Sequence, residues 1–202
     1  MAGPNLAKEL LAGQPAATVI ASDFNEVIDA GINVLASRIF RVYGSEHTKG
    51  IELAGALKNV ISIASGLING LGFGTNMQAL SITRGLREMI LVAKAVGAEA
   101  RPFLGTAGIG DLVATATSTM SRNYTFGNLL SQGKSVSEIK NIMDEVAEGY
   151  RTLKFAQRII KAADINAPMM KTLYNIVYED RPIRKAMVDL IQHPMKIDVD
   201  FI

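Results

Sequence analysis

Residues 48–83 read TKGIELAGALKNVISIASGLINGLGFGTNMQALSIT, and this stretch leaves the chain few ways to fold. Ile51, Leu53, Ala54, Leu57, Ile61, Ala64 and Ser65 recur at helical spacing, and Thr48 or Ser45 offers a hydroxyl to cap the start. The apolar stripe widens until the helix is hydrophobic nearly all round, which is the pattern of a helix in the middle of a core. Lys58 is the one charge in its central part, and no charged residue occurs from 59 to 83. A run of that length and polarity resembles a membrane span, but Asn69, Gly70, Gly72, Gly74, Asn76 and Gln78 would put polar groups in the hydrocarbon. The stretch therefore reads as a helix, a glycine-rich turn and a second helix.

Composition narrows the class further. With 202 residues, 49% hydrophobic and 20% charged, the chain can bury a core in one or two domains and is not of disordered type. A net charge of +2 without a dense Lys/Arg cluster is too small a bias to argue for nucleic acid, and no nucleic-acid partner is expected. The absence of cysteine removes disulfides, thiolate nucleophiles and thiolate metal sites, and His47 and His193 are too far apart in sequence to suggest a metal site. The N-terminus carries no basic region followed by an apolar signal run, so a cytoplasmic location is expected.

Taken in order, Gly3-Pro4 signals a turn, Asn5 offers a cap for a short helix to about Leu11, and Gly13 ends it. Residues 17–21 read as a short buried strand, 23–35 as a helix capped by Asp23, and 40–43 as a second strand. Helix–strand–helix–strand is an α/β pattern, and two strands alone do not make a self-sufficient sheet. Residues 1–44 are therefore expected to be the end of an α/β domain, with an edge pair laid on a helical body as the other reading. From 45 onward the pattern is helical: 77–96 closed by Gly97, a connection over 98–110, 111–120, then RNYTFGNLLSQG from 122 with Ser121 as cap. Ser135 and Glu138 have the spacing of a capping box, helices follow over 150–163 and 169–178, and Pro182 suits the first position of one to about 191. The tail MKIDVDFI reads as a loose strand or an unstructured end.

Several polar residues ask for an explanation. An ammonium buried without a partner costs several kcal/mol, and desolving a lysine is a usual way to prepare it as a proton acceptor. Lys58 fits that role, or else its stem covers apolar surface while its head reaches water. The segment GTAGIGD at 105–111 has glycines that permit positive φ or close approach to a ligand, with Asp111 either a helix cap or a ligand-facing carboxylate. It is not a dinucleotide fingerprint, which follows a strand in a βαβ unit. Ser121-Arg122-Asn123 places a cap and a guanidinium at a helix start, a good anion site or a plain capped surface helix. Glu145 and Glu148 read as ordinary partners of a helix start. Asn59, Asn69, Asn76 and Gln78 either brace helix turns or face a cleft.

These residues carry a resemblance. The run GIELAGALKNVISIASGLINGLGFGTNMQALSITRGLREM, with GTAGIGDLVATATSTMSRNYTFG, EVAEGYRT and GPNLAKELLAGQPAA, resembles the NAD(P)-dependent glycerol-3-phosphate dehydrogenase family of bacterial and plastid type, in the expected order over essentially the whole chain. The resemblance implies a mainly α fold: an all-helical substrate domain of the 6-phosphogluconate-dehydrogenase-like C-terminal type over 45–202, preceded over 1–44 by a short α/β remnant of a Rossmann domain. It implies reversible hydride transfer between NAD(P)H and dihydroxyacetone phosphate, giving sn-glycerol 3-phosphate. By the same resemblance Lys58 is the catalytic base and acid; Gly3, Asn5, Lys58, Asp111, Ser121, Arg122 and Asn123 meet the substrate; and Ala7, Arg122, Val146 and Glu148 meet NAD or NADP.

The departures concern activity. No GxGxxG loop is present, a substrate lysine that the family carries upstream of GPNLA is absent, and ATATS stands where the family often has TCTS. The expectation is a dehydrogenase by family whose 202 residues do not turn over alone, with exposed sheet surface that favours a homodimer or association with an upstream fragment. The competing readings are a non-catalytic structural or interaction protein that keeps the helical fold, and a related hydroxyacid dehydrogenase domain. Retention of Lys58 and Asp111 together with Ser121, Arg122 and Asn123 argues against the former, and that set favours a phosphate over a carboxylate substrate.

Overall fold

A computed structural model describes residues 1–143, 147–194 and 197–200. The first part comprises helix α1 (Ala7–Leu11), strand β1 (Ala16–Ala21), helix α2 (Asn25–Leu35) and strand β2 (Phe40–Ser45). The two strands pair in parallel, from Ala16 opposite Phe40 to Ala21 opposite Ser45. Val19 exchanges both backbone bonds with Ala2, which places Ala2 on the β1 edge away from β2. Only Ile28 of α2 is buried, while Phe24, Val27, Val34 and Tyr43 stay exposed, as expected for so small a sheet.

Eight α-helices follow among the described residues: α3 (Thr48–Gly70), α4 (Thr75–Ala95), α5 (Asp111–Thr117), α6 (Arg122–Ser131), α7 (Val136–Ile142), α8 (Glu148–Ala162), α9 (Pro168–Tyr178) and α10 (Ile183–Ile191). The expected connection over 98–110 is itself wound, into a 3-10 turn at Arg101–Leu104 and a π turn at Thr106–Gly110. The mainly α architecture after a short α/β opening matches the sequence reading.

α3 is the axis of the structure. It packs against α4, α5, α6, α8 and α9, which explains why it is apolar nearly all round. Leu57, Val60, Ile61 and Ile63 are fully buried. Although α3 is long and apolar enough to cross a membrane, 72% of its apolar window is buried inside the protein, as in a core helix. Its crossing with α6 is a backbone contact: a Cβ on Gly66 would overlap the Tyr124 carbonyl, and one on Gly127 would overlap the Ile63 carbonyl.

The expected caps divide into two groups. Ser121 accepts from the Tyr124 N–H at the start of α6, and the Ser135–Glu138 capping box is complete at α7. The others have tertiary partners instead. Asn5 donates to Thr18 Oγ1 on β1 at 3.3 Å, and Asp23 accepts from Thr48 Oγ1 at 3.2 Å. Neither Ser45 nor Thr48 caps α3, whose N-cap is His47, and Pro182 sits at the N-cap of α10 and not inside it.

The far end of the bundle is held by charges. Residues 197–200 form no strand; Asp198 pairs with Arg84 at 3.1 Å and Asp200 with Arg87 at 2.5 Å. Next to Arg87, the buried Glu88 carboxylate accepts from the Met169 and Met170 N–H groups at 2.7 and 2.8 Å, at the start of α9. Burial pushes the Glu88 carboxyl up to about 7, against the pull of those two N–H groups and of Arg87 and Lys171. Between its unfolded value near 4.5 and about 7 the folded chain holds a proton that the unfolded chain has lost, so stability falls as pH rises through that window. The slope is expected to approach ~1.4 kcal/mol per pH unit in denaturation curves of the native chain and to vanish in Glu88→Gln. A parallel pH profile in the two proteins would show that Glu88 does not titrate there.

Candidate active site

Lys58 lies on the third turn of α3 and reaches Asp111, the first residue of α5. Its Nζ is 2.5 Å from Asp111 Oδ2, and the two side chains are 18% and 4% exposed. The carboxylate is held from two further directions: the Gly3 N–H donates to Oδ2 at 3.2 Å and the Thr115 hydroxyl to Oδ1 at 3.3 Å. Burial is the strongest influence on Asp111 and holds its carboxyl above the ordinary range, with Lys58, Thr115 and Gly3 pulling the other way. Asp111 is therefore not a helix cap; its side chain is committed to the lysine.

The glycines around Asp111 act differently from the sequence expectation. None of Gly105, Gly108 and Gly110 has positive φ. A Cβ on Gly108 would overlap the Phe103 backbone, so the π turn needs glycine to fold down on the 3-10 turn before it. Gly3 is required for a similar reason, since a Cβ there would lie 2.6 Å from the Ala17 carbonyl oxygen of β1. These two close approaches bring the N-terminal segment and the start of α5 together over Lys58.

The residues flanking Lys58 on α3 tie in the Ser121-Arg122-Asn123 segment. Asn59 Nδ2 donates to Glu148 Oε2 at 3.3 Å, Asn123 Nδ2 donates to Asn59 Oδ1 at 3.0 Å, and Asn123 Oδ1 accepts from the Gly149 N–H at 2.8 Å. One turn further along, Ser62 Oγ shares a 3.1 Å hydrogen bond with Ser121 Oγ and donates to the Thr115 carbonyl at 2.9 Å. Ser121 and Asn123 are buried and engaged on both sides, so they brace the helices around the lysine. Arg122 is exposed and lines a cleft of about 470 Å³ with Lys8, Thr119, Met120, Thr125, Ile142 and Met143. Lys58 and Asp111 are not among the residues that line it. Of the residues expected to meet the substrate, Asp111, Ser121 and Asn123 thus join hydrogen-bond networks that start from Lys58 and its neighbours on α3, whereas Arg122 lines a cleft to which Lys58 and Asp111 do not contribute.

Of the cofactor residues suggested by resemblance, Ala7 is exposed at the start of α1 and Glu148 is exposed at the start of α8. Val146, like Glu145, lies outside the described residues. Asn5 is half-buried against β1. Among the flagged amides only Asn59 joins the network, while Asn69 and Asn76 are exposed. Thr115 and Ser62 are not among the candidate residues that the sequence offers, but helical spacing points to both, four residues after Asp111 and four after Lys58.

A family model described as the C-terminus of NAD-dependent glycerol-3-phosphate dehydrogenase matches residues 47–188. The chain belongs to this family. It is 42% identical over 202 residues to a glycerol-3-phosphate dehydrogenase [NAD(P)+] of Pseudomonas putida KT2440, covering 100% of this chain and 59% of the relative. It is 39% identical over 200 residues to the enzyme of that name from Teredinibacter turnerae, covering 99% and 59%. Among solved structures, the glycerol-3-phosphate dehydrogenase of Coxiella burnetii superposes with a TM-score of 0.90 at 33% identity, over 95% of this chain and 59% of that one. The chain thus spans about 59% of the length of these dehydrogenases. In this chain the Lys58–Asp111 pair stands on the helix and turn that carry ALKNV and GIGD.

Proposed function

We propose that the chain supplies the substrate-binding part of a reversible hydride transfer between NAD(P)H and dihydroxyacetone phosphate, giving sn-glycerol 3-phosphate, on a helical body of the 6-phosphogluconate-dehydrogenase C-terminal type. The observation that carries the reading is the Lys58–Asp111 pair, 2.5 Å long and mostly removed from water. A buried ion pair adds little net stability, so a structural scaffold has no energetic need of one there. A lysine amine held in place by a carboxylate can give a proton to a ketone oxygen as charge develops on it, and in the reverse direction take the proton from the secondary hydroxyl. Asp111, fixed by the Gly3 N–H and Thr115, sets where that amine sits. The exposed Arg122, at the positive end of α6, offers a planar guanidinium to the substrate phosphate.

Ala7, Arg122 and Glu148 fit one end of a nicotinamide dinucleotide. The exposed guanidinium suits a phosphate, and the Glu148 carboxylate, steadied by Asn59, can accept from a hydroxyl or carboxamide. That group supplies the hydride when bound. No GxGxxG loop occurs in the 202 residues, so turnover is expected to require a dinucleotide-binding domain in the same polypeptide or added to it.

The test is calorimetric titration of the chain with sn-glycerol 3-phosphate and, for comparison, glycerate. Saturable binding of the phosphate, weakened about tenfold or more by Arg122→Ala, is expected, with glycerate bound far more weakly. Equal binding of the two ligands, or binding that ignores Arg122, would overturn the assignment of a phosphorylated substrate.

A further inference from the structure

We propose that Tyr178 is a positioning residue for Glu148: its hydroxyl, bonded to the Tyr150 carbonyl, fixes the first turn of α8 and with it the carboxylate offered to the cofactor. The inference rests on the reading above, in which Glu148 meets the dinucleotide; Tyr178 has no part in that reading.

The start of α8 has no side-chain cap of its own, since its N-cap is Ala147. Free N–H groups at such a start leave the first turn of a helix open to fraying. Contacts from other helices hold it instead. The Gly149 N–H donates to Asn123 Oδ1 at 2.8 Å, and a Cβ at 149 would lie 2.5 Å from the Asn59 carbonyl oxygen of α3. Glu148 itself is exposed, and its carboxylate accepts from Asn59 Nδ2 across a long 3.3 Å bond. Where that carboxylate stands therefore depends on where the turn beneath it stands.

A second hold on this turn comes from α9. Tyr178 Oη donates to the Tyr150 carbonyl at 2.5 Å, and the two rings stack with centroids 4.9 Å apart. A backbone carbonyl has a second lone pair beyond the one a helix bond uses. Here that capacity ties α8 to a residue 28 positions away. Tyr174 stacks on Tyr178 in turn, also at 4.9 Å, and Phe126 of α6 meets the Tyr150 ring at 6.0 Å. These ring contacts aim the Tyr178 hydroxyl. Burial, helped by the bond to Tyr150, raises the pKa of that hydroxyl above the ordinary tyrosine value, so it stays a donor into the alkaline range. An aromatic cluster that served packing alone would need only the rings; the hydroxyl is what reaches the turn carrying Glu148.

Two measurements on Tyr178→Phe, which keeps the ring and loses only the hydroxyl, test this. In the 202-residue chain, hydrogen exchange at the Gly149 amide is expected to quicken about fivefold or more, with the Ile160 amide within about twofold of native. In the chain joined to a dinucleotide-binding domain, the KM for NADH is expected to rise about threefold or more, while kcat and the KM for dihydroxyacetone phosphate stay within about twofold. Tyr174→Phe, which also keeps the stack, should match native in both measurements. Glu148→Gln supplies the decisive comparison. It should raise the KM for NADH by itself, and adding Tyr178→Phe should raise it no further, because the carboxylate that Tyr178 positions is gone. Exchange that quickens equally along α8, native exchange at Gly149, or effects of the two substitutions that multiply would each overturn the proposal. If Glu148→Gln raises that KM and Tyr178→Phe does not, the inference fails and the cofactor reading stands. If Glu148→Gln leaves it unchanged, the cofactor reading of Glu148 fails and the inference falls with it.

Discussion

Replacing Lys58 with alanine is expected to lower kcat by roughly a hundred- to ten-thousand-fold once the chain is joined to a dinucleotide-binding domain, the range for removal of a general acid–base. The fold should survive. Asp111 would keep its hydrogen bonds from the Gly3 N–H and the Thr115 hydroxyl, and burial already favours its neutral form, so the orphaned carboxyl can take up a proton where it stands. Cofactor affinity should be unchanged, because Lys58 is paired with Asp111, a residue placed at the substrate. A structural role would give a different pattern, with lost melting temperature and no response to added amine. Partial recovery of turnover in Lys58→Ala by a small primary amine would therefore support direct proton transfer, whereas a variant with native kcat would sink the assignment.

Gly127→Ala is expected to be among the most destabilising glycine substitutions at the described residues. α3 and α6 cross with backbone against backbone, and a Cβ at 127 has no side chain to displace, only the Ile63 carbonyl and the Leu67 N–H. Parting the helices would open the core on both sides of the crossing, where Ile63, Leu67 and Phe126 are fully buried. The cost is expected at about 3 kcal/mol or more, seen as a drop of about 6–12 °C in melting temperature or as failure to obtain folded protein. Gly74→Ala is the control, since it precedes α4 with open space around it and with negative φ. As the N-cap of α4 it should lose no more than about 1 kcal/mol, the preference for Gly over Ala at that position. If the two substitutions cost the same, the helix crossing is looser than the backbone geometry requires. The same displacement would carry Asn123 and Ser121 away from Asn59 and Ser62, so any folded fraction of Gly127→Ala should also bind sn-glycerol 3-phosphate poorly.

Much of the helical body can be read locally. The run of apolar residues from Ile51 to Ile68 specifies a core helix because nothing else satisfies that many buried backbone groups within one segment. Ser121 and the Ser135–Glu138 box cap their helices as their spacing suggests, since each bond closes within three residues. The family motifs likewise single out Lys58, Asp111 and Arg122 from the sequence alone.

The local reading fails where a polar side chain has a stronger partner far along the chain. Asn5, Asp23 and Asp111 all stand where a cap would be sought, and each turns instead to Thr18, Thr48 or Lys58. The glycines of GTAGIGD fail the same way: Gly108 is required by the Phe103 backbone it meets, not by positive φ.

The sequence by itself determined most of the helices and the two strands, because these depend on periodicity and on groups a few residues apart, and the resemblance to the family singled out the lysine. The tertiary structure alone decided that Lys58 has Asp111 as its partner, that Asn59 connects Asn123 to Glu148, and that Lys8 and Arg122 share a cleft. Those pairings join segments 50 or more residues apart. They exist only because α3 draws α5, α6 and α8 onto its surface, and no local rule encodes which side chains will meet there.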